Sequence, residues 1–171
     1  VADKPDSQEI CFVPDQDYAG FIERYTEEKL PQGHFVDRQG RVLGIHKGII
    51  HYTIGQRKGL NLAAGRPVFV TEIRPETNEV VIGEAEDVFT RGLVFDQVNC
   101  MGAEDLGQTG IVTGKIRYGH QGTPCRITDL GNGRMECRFL EPVRAVTPGQ
   151  AVVFYDGDAV LGGGTIVDRL R

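Results

Sequence analysis

Apolar positions recur along this chain with two different periods. After Pro14, Tyr18, Phe21, Ile22 and Tyr25 stand at helical spacing behind Asp15 and Asp17, and Lys29-Leu30-Pro31 closes the run, so the pattern predicts one amphipathic helix. Val13 precedes a proline and is biased toward extended backbone. Cys11, in the triplet Ile10-Cys11-Phe12, therefore falls on an extended segment or loop that leads into the helix, where a thiol is reachable. From Gly33 onward the period shortens to brief apolar runs punctuated by Gly, Pro, Asn and Asp, the pattern of antiparallel strands. Asp37-Arg38-Gln39-Gly40 reads as a turn, and 67–73 with 79–83 as a hairpin. Later strands are predicted near 93–100, 111–118, 123–130, 134–140, 151–155 and 159–167, joined by Gly-Asn-Gly at 131–133 and Asp-Gly-Asp at 156–158. Regular short strands of this kind suit a small closed barrel. The polar stretch 83–87 carries no period and marks a boundary. The expected fold is mainly β: a short N-terminal segment with one α-helix over 1–30, a small β central domain over 31–86, and a C-terminal antiparallel β-barrel over 87–171.

Strand parity sorts the barrel residues. Met135, Cys137 and Phe139 share one side of their strand and Arg134, Glu136 and Arg138 the other, so Cys137 is expected in the core. Cys125 shares its side with Ile127 and reads the same way, and Cys100 leans toward a structural role as well. Lys115 with Arg117, Arg126, and Arg134 with Arg138 are sent outward on strands expected to be neighbours, as a basic face for phosphates or as solvated arginines. Tyr118 falls on the opposite side from Arg117.

Composition adds little to this until charge is located. With 40% apolar and 25% charged residues the chain matches an ordinary soluble globular protein, and no stretch approaches a membrane span. The start lacks the basic and apolar parts of a signal peptide, so a cytoplasmic protein without a membrane partner is expected. The first residue is Val1 rather than Met, which points to a piece of a longer protein. The net charge of -5 comes entirely from residues 1–30, which hold eight acidic and three basic side chains. Over 110–150 the balance reverses, to six basic against three acidic. An acidic protein can carry a local basic surface in this way.

Few other residues point to chemistry. The cysteines Cys11, Cys100, Cys125 and Cys137 form no Cys-x-x-Cys pair and read as free thiols, with no metal site. His34, His46, His51 and His120 lack zinc-motif spacing and an acidic partner in sequence. In Gly55-Gln56-Arg57-Lys58-Gly59 two glycines bracket two cations, either as a phosphate-approaching loop or as a tight exposed turn. The glycines 162–164 lack the Lys-Ser/Thr of a nucleotide loop and serve a bent strand. Glu9, Asp15 and Asp17 would raise the pKa of Cys11, so a nucleophilic role needs an activating partner outside this segment.

Four segments in order, "DSQEICFVPDQDYAGFIERY", "GIHKGIIHYTIGQRKGL", "GKIRYGHQGTPCRI" and "AVTPGQAVVFYDGDAVLGGGTI", resemble the central and C-terminal domains of the bacterial tRNA-specific 2-thiouridylases, with a remnant of the catalytic domain in front. The resemblance implies ATP- and Mg-dependent adenylation of the wobble uridine of tRNA, followed by sulfur transfer from a cysteine persulfide. It assigns the persulfide to Cys11 and tRNA contacts to Arg117, Tyr118 and Gln150, joined by Arg57 and Lys58. It implies as partners tRNA, a persulfide-donating relay protein or cysteine desulfurase, and the family's N-terminal pyrophosphatase domain. That domain's Ser-Gly-Gly-x-Asp-Ser loop and second catalytic cysteine are absent from these residues, so ATP and Mg are expected to bind there, no cofactor is expected here, and this part alone is expected to be inactive. The competing reading is a stand-alone RNA-binding or translation-factor-like β-barrel module, which leaves Cys11 without a task.

Overall fold

A computed structural model describes Val13, residues 17–26 and residues 31–170. The helix α1 covers Tyr18–Thr26, and the Asp17 carboxylate accepts a hydrogen bond from the Gly20 N–H at 3.0 Å, capping its first turn. None of its residues is fully buried, and Phe21 is half-buried. Glu23 reaches the first sheet's unit, its carboxylate lying 3.6 Å from Nε2 of His51. That acidic partner is 28 residues away in sequence and was not visible from spacing.

The first sheet contains β1 (Gly33–Val36), β2 (Val42–His46), β3 (Phe69–Arg74) and β4 (Glu79–Gly83), in the order β2-β1-β4-β3. Both hairpins are antiparallel, but β1 and β4 run parallel, which corrects the expectation of antiparallel pairing throughout. The long connection from 47 to 68 returns the chain in the same direction, and Asn78 sets the join. Asn78 takes a left-handed φ of 51° at the end of the hairpin turn, its carbonyl accepts from the His34 N–H at 3.3 Å, and its amide donates to the carbonyls of Pro31 and Gln32. Phe35, His46 and Tyr52 pack edge-to-face beneath Val70, Val80 and Ile82. His46 is buried, with its Nε2–H donating to the Asn78 carbonyl at 3.1 Å and Nδ1 accepting from the Gly48 N–H at 3.1 Å. Among the described residues β2 is an outer strand, and it exposes Val42, Leu43 and Ile45, the last at 68%.

The second unit is the expected closed barrel. Its strands β5 (Phe89–Cys100), β6 (Ile111–Lys115), β7 (Thr123–Gly131), β8 (Arg134–Arg144), β9 (Ala151–Asp156) and β10 (Ala159–Arg169) close in the order β10-β5-β8-β7-β6-β9. Parity holds in β8, where Met135, Cys137 and Phe139 are buried while Arg134 and Arg138 are exposed. Phe95 and Phe154 meet at the centre with rings 5.2 Å apart. The glycines of β10 serve close packing: a Cβ on Gly163 or Gly164 would collide with the carbonyl oxygens of Val152 or Asp96 on the flanking strands. Cys125 and Cys137 are free, buried thiols, but Cys100 is exposed at the end of β5, contrary to its structural reading. A small third cluster of Ile54, Val88 and Ala145 packs where the first sheet meets the barrel.

Candidate nucleic-acid interface

The barrel loop after β6 is built around one histidine. β6 stops at Lys115 rather than running to 118, so Arg117 and Tyr118 are placed by a loop and not by strand parity. Both are therefore exposed, Tyr118 at 71%, which removes the expected opposition between their sides. Ile116 is buried and anchors the loop. Beyond it, Nδ1 of His120 accepts from the Ile116 N–H at 3.3 Å, and Nε2–H of the same ring donates to the Thr123 hydroxyl at 3.2 Å. Burial holds the imidazole below its ordinary pKa, and the cations Arg117 and Lys115 push the same way. His120 is thus a neutral staple between the two ends of the loop.

Arg117, Tyr118 and His120 line a shallow depression of about 670 Å³ together with Lys115, Val153 and Tyr155. Pairing of β6 with β9 brings Tyr155 across, and Lys115 Nζ lies 5.0 Å from its ring centroid. Ala151 belongs to the same wall, and Gln150 precedes it with an exposed side chain. The Gln150 backbone is fixed by its N–H to the Thr147 carbonyl at 3.3 Å and by the Ile166 N–H to its own carbonyl at 2.8 Å. Arg117 and Tyr118 thus share one depression, and Gln150 adjoins it. Sequence reasoning missed His120 and Tyr155 here, because neither their pairing nor the loop closure has a local signal.

Arg57 and Lys58 sit on a separate loop, following the first sheet's 3₁₀ turn at Ile49–His51. Gln56 clasps this loop: its Oε1 accepts from the Thr53 N–H at 3.0 Å and its Nε2 donates to the Lys58 carbonyl at 3.0 Å. The two cations are left exposed at the loop's tip. Elsewhere on the expected basic face Arg126, Arg134 and Arg138 are exposed, and Arg138 is engaged by a carboxylate. Arg126 and Arg138 stand directly opposite each other on β7 and β8, and the Arg138 guanidinium is held by Glu136 through two hydrogen bonds. A second cleft of about 550 Å³, between sheet and barrel, contains Arg38, Arg74 and Arg169. Arg38 pairs with the Asp87 carboxylate, Arg169 donates to the Asp87 carbonyl at 3.1 Å, and Arg74 pairs with Glu72 and Glu79. Cys11 lies outside the described residues, two positions before the buried Val13.

An electropositive loop with an exposed aromatic ring and a glutamine beside it offers charge to phosphates and a stacking surface to bases. The tRNA methyl transferase PRC-barrel domain matches residues 19–84, and the aminomethyltransferase beta-barrel domain matches residues 90–166. The tRNA-specific 2-thiouridylase MnmA of Lachnoclostridium phytofermentans is 60% identical over 98% of this chain and 47% of its own length. The corresponding proteins of Carboxydothermus hydrogenoformans and Acetivibrio thermocellus are 52% and 49% identical, over 99% and 97% of this chain. The chain spans about half the length of the curated relatives it matches.

Proposed function

The chain belongs to the bacterial tRNA-specific 2-thiouridylase family, and from that we propose that it supplies the tRNA-docking surface and the sulfur-carrying cysteine of a cytoplasmic enzyme that makes 2-thiouridine at the wobble position. The observation that carries this reading is the convergence of Arg117 and Tyr118 on one exposed depression bordered by Gln150. Phosphate contacts by Arg117, Arg57 and Lys58 orient the tRNA, while Tyr118 and Gln150 meet bases or sugar edges. ATP and Mg are bound by the family's N-terminal domain, where the uridine oxygen is activated as an adenylate.

Cys11 then carries the sulfur as a persulfide loaded by a relay protein or desulfurase. Its outer sulfur bonds to C2 of the activated uridine, AMP leaves with the oxygen, and a second thiol supplies the electron pair that breaks the S–S bond by closing a disulfide onto Cys11. The activating partner that Cys11 lacks locally is thereby provided by the other domain and the substrate.

The test pairs the full chain, with and without Cys11→Ser, with the N-terminal domain, ATP, a persulfide donor and substrate tRNA, and reads 2-thiouridine by mass spectrometry. Loss of thiolation with Cys11→Ser is the expected result. Thiolation that survives removes Cys11 from the chemistry and leaves an RNA-binding module.

A further inference from the structure

The two basic loops belong to different units, and among the described residues no strand pairing joins the sheet to the barrel. Arg144, the last residue of β8, touches both. Its Nη2 donates to the Gly55 carbonyl at 2.7 Å, and its own carbonyl accepts from Nη1 of Arg117 at 3.4 Å. The fit around the first of these bonds is tight. Gly55 has a left-handed φ of 88°, and a Cβ there would stand 3.1 Å from Nη1 of Arg144 and 3.2 Å from Cβ of Ala145. Ala145 is itself left-handed at φ 59°, an unusual state for a residue with a Cβ, and its N–H donates to the Val88 carbonyl at 2.9 Å. With Ile54 and Val88 it is buried in the junction cluster. A left-handed alanine, a left-handed glycine at which a Cβ would press on Arg144 and Ala145, and a half-buried guanidinium bonded to a neutral carbonyl all fix one geometry at this point.

We propose that Arg144 is a positioning residue that aligns the Arg57–Lys58 loop of the sheet with the Arg117–Tyr118 loop of the barrel, so that the two act as one continuous track for an RNA backbone. This rests on the tRNA-docking reading. Arg144 acts through its neighbours: its side chain holds the Gly55 carbonyl, and the bend at Ala145 aims its carbonyl at Arg117. A polyanion crossing both loops neutralises more phosphates than either loop reaches alone, and the salt dependence of binding reports that number.

The experiment is a double-mutant cycle on tRNA binding by the full chain, measured across salt concentrations with an unmodified tRNA transcript. One arm is Arg57→Ala with Lys58→Ala; the other is Arg144→Met, which keeps the apolar stem and removes the donors. In the unsubstituted protein the loop change is expected to weaken binding about tenfold and to reduce the salt slope by about one to two. In the Arg144→Met background the same loop change is expected to cost less than about twofold, because the loop is already out of line. Hydrogen exchange without RNA supplies a second readout: Arg144→Met is expected to speed exchange at 53–59 and 116–121 while the barrel strands stay protected. Additive effects in the cycle, or unchanged exchange at both loops, overturn the positioning role. If neither the loop change nor Arg117→Ala weakens tRNA binding in the unsubstituted protein, the docking reading fails, and the exchange result alone decides whether Arg144 aligns the loops.

Discussion

His46 and His120 lie in different units and make the same two bonds: Nδ1 accepts a backbone N–H and Nε2–H donates to an oxygen. Both must stay neutral for this, since a protonated ring has no acceptor. Burial lowers both pKa values below the ordinary 6.5, helped at His46 by His34 and His51 and at His120 by Arg117 and Lys115. A lowered folded-state pKa means the unfolded chain takes up the proton first. The stabilisation is then present above the unfolded value of 6.5 and is lost as pH falls through the folded one. The unfolding temperature is therefore expected to be lower near pH ~5 than near pH ~8, and His120→Asn, which offers an oxygen acceptor that gains no proton, is expected to shrink the difference. The buried Cys137 thiol is shifted in the opposite sense. A hydrogen bond with Cys125 and burial push the Cys137 thiol far up, so no thiolate forms near neutral pH. In a Cys11→Ser background a maleimide is expected to label Cys100 in the native protein and to reach Cys125 and Cys137 only after unfolding, as mass spectrometry of the products would show.

Among the elements, β8 was legible because Met135, Cys137 and Phe139 alternate strictly with charged residues, and burial of one face imposes that period. The β3–β4 hairpin was legible from its Pro and Asn turn residues. The parallel β1–β4 join was not, because it depends on Asn78 reaching residues nearly fifty positions earlier. The loop after β6 misled for a related reason: Ile116-Arg117-Tyr118 continues a strand-like alternation, and only the return of His120 shows that the strand has ended. Of the candidate site, residue types were therefore readable and their arrangement was not. Asn78→Ala removes two side-chain hydrogen bonds and places a residue without left-handed preference at φ 51°. It is expected to lower stability by about 1–3 kcal/mol in urea denaturation without changing the barrel's exchange protection.

For the whole molecule, sheet and barrel meet through a small apolar cluster, the Arg144–Gly55 hydrogen bond and the contacts of Asp87. Ile54 is the sheet's main contribution to that cluster. Ile54→Ala is expected to cost about 2–5 kcal/mol and to separate the unfolding of the two units, which calorimetry would record as a broadened or split transition. The barrel closes on itself and has no strand edges, whereas among the described residues β2 is an outer strand of the sheet with no strand on its far side, and it exposes Val42, Leu43 and Ile45. Such an edge accepts a strand from any neighbour, including another copy of itself, so crowding of the molecules governs how the chain behaves in a tube. Light scattering is expected to show clustering as concentration rises, and Ile45→Lys to postpone it. The ceiling on handling this protein is then colloidal, set at that apolar ribbon and not by how firmly the rest is folded.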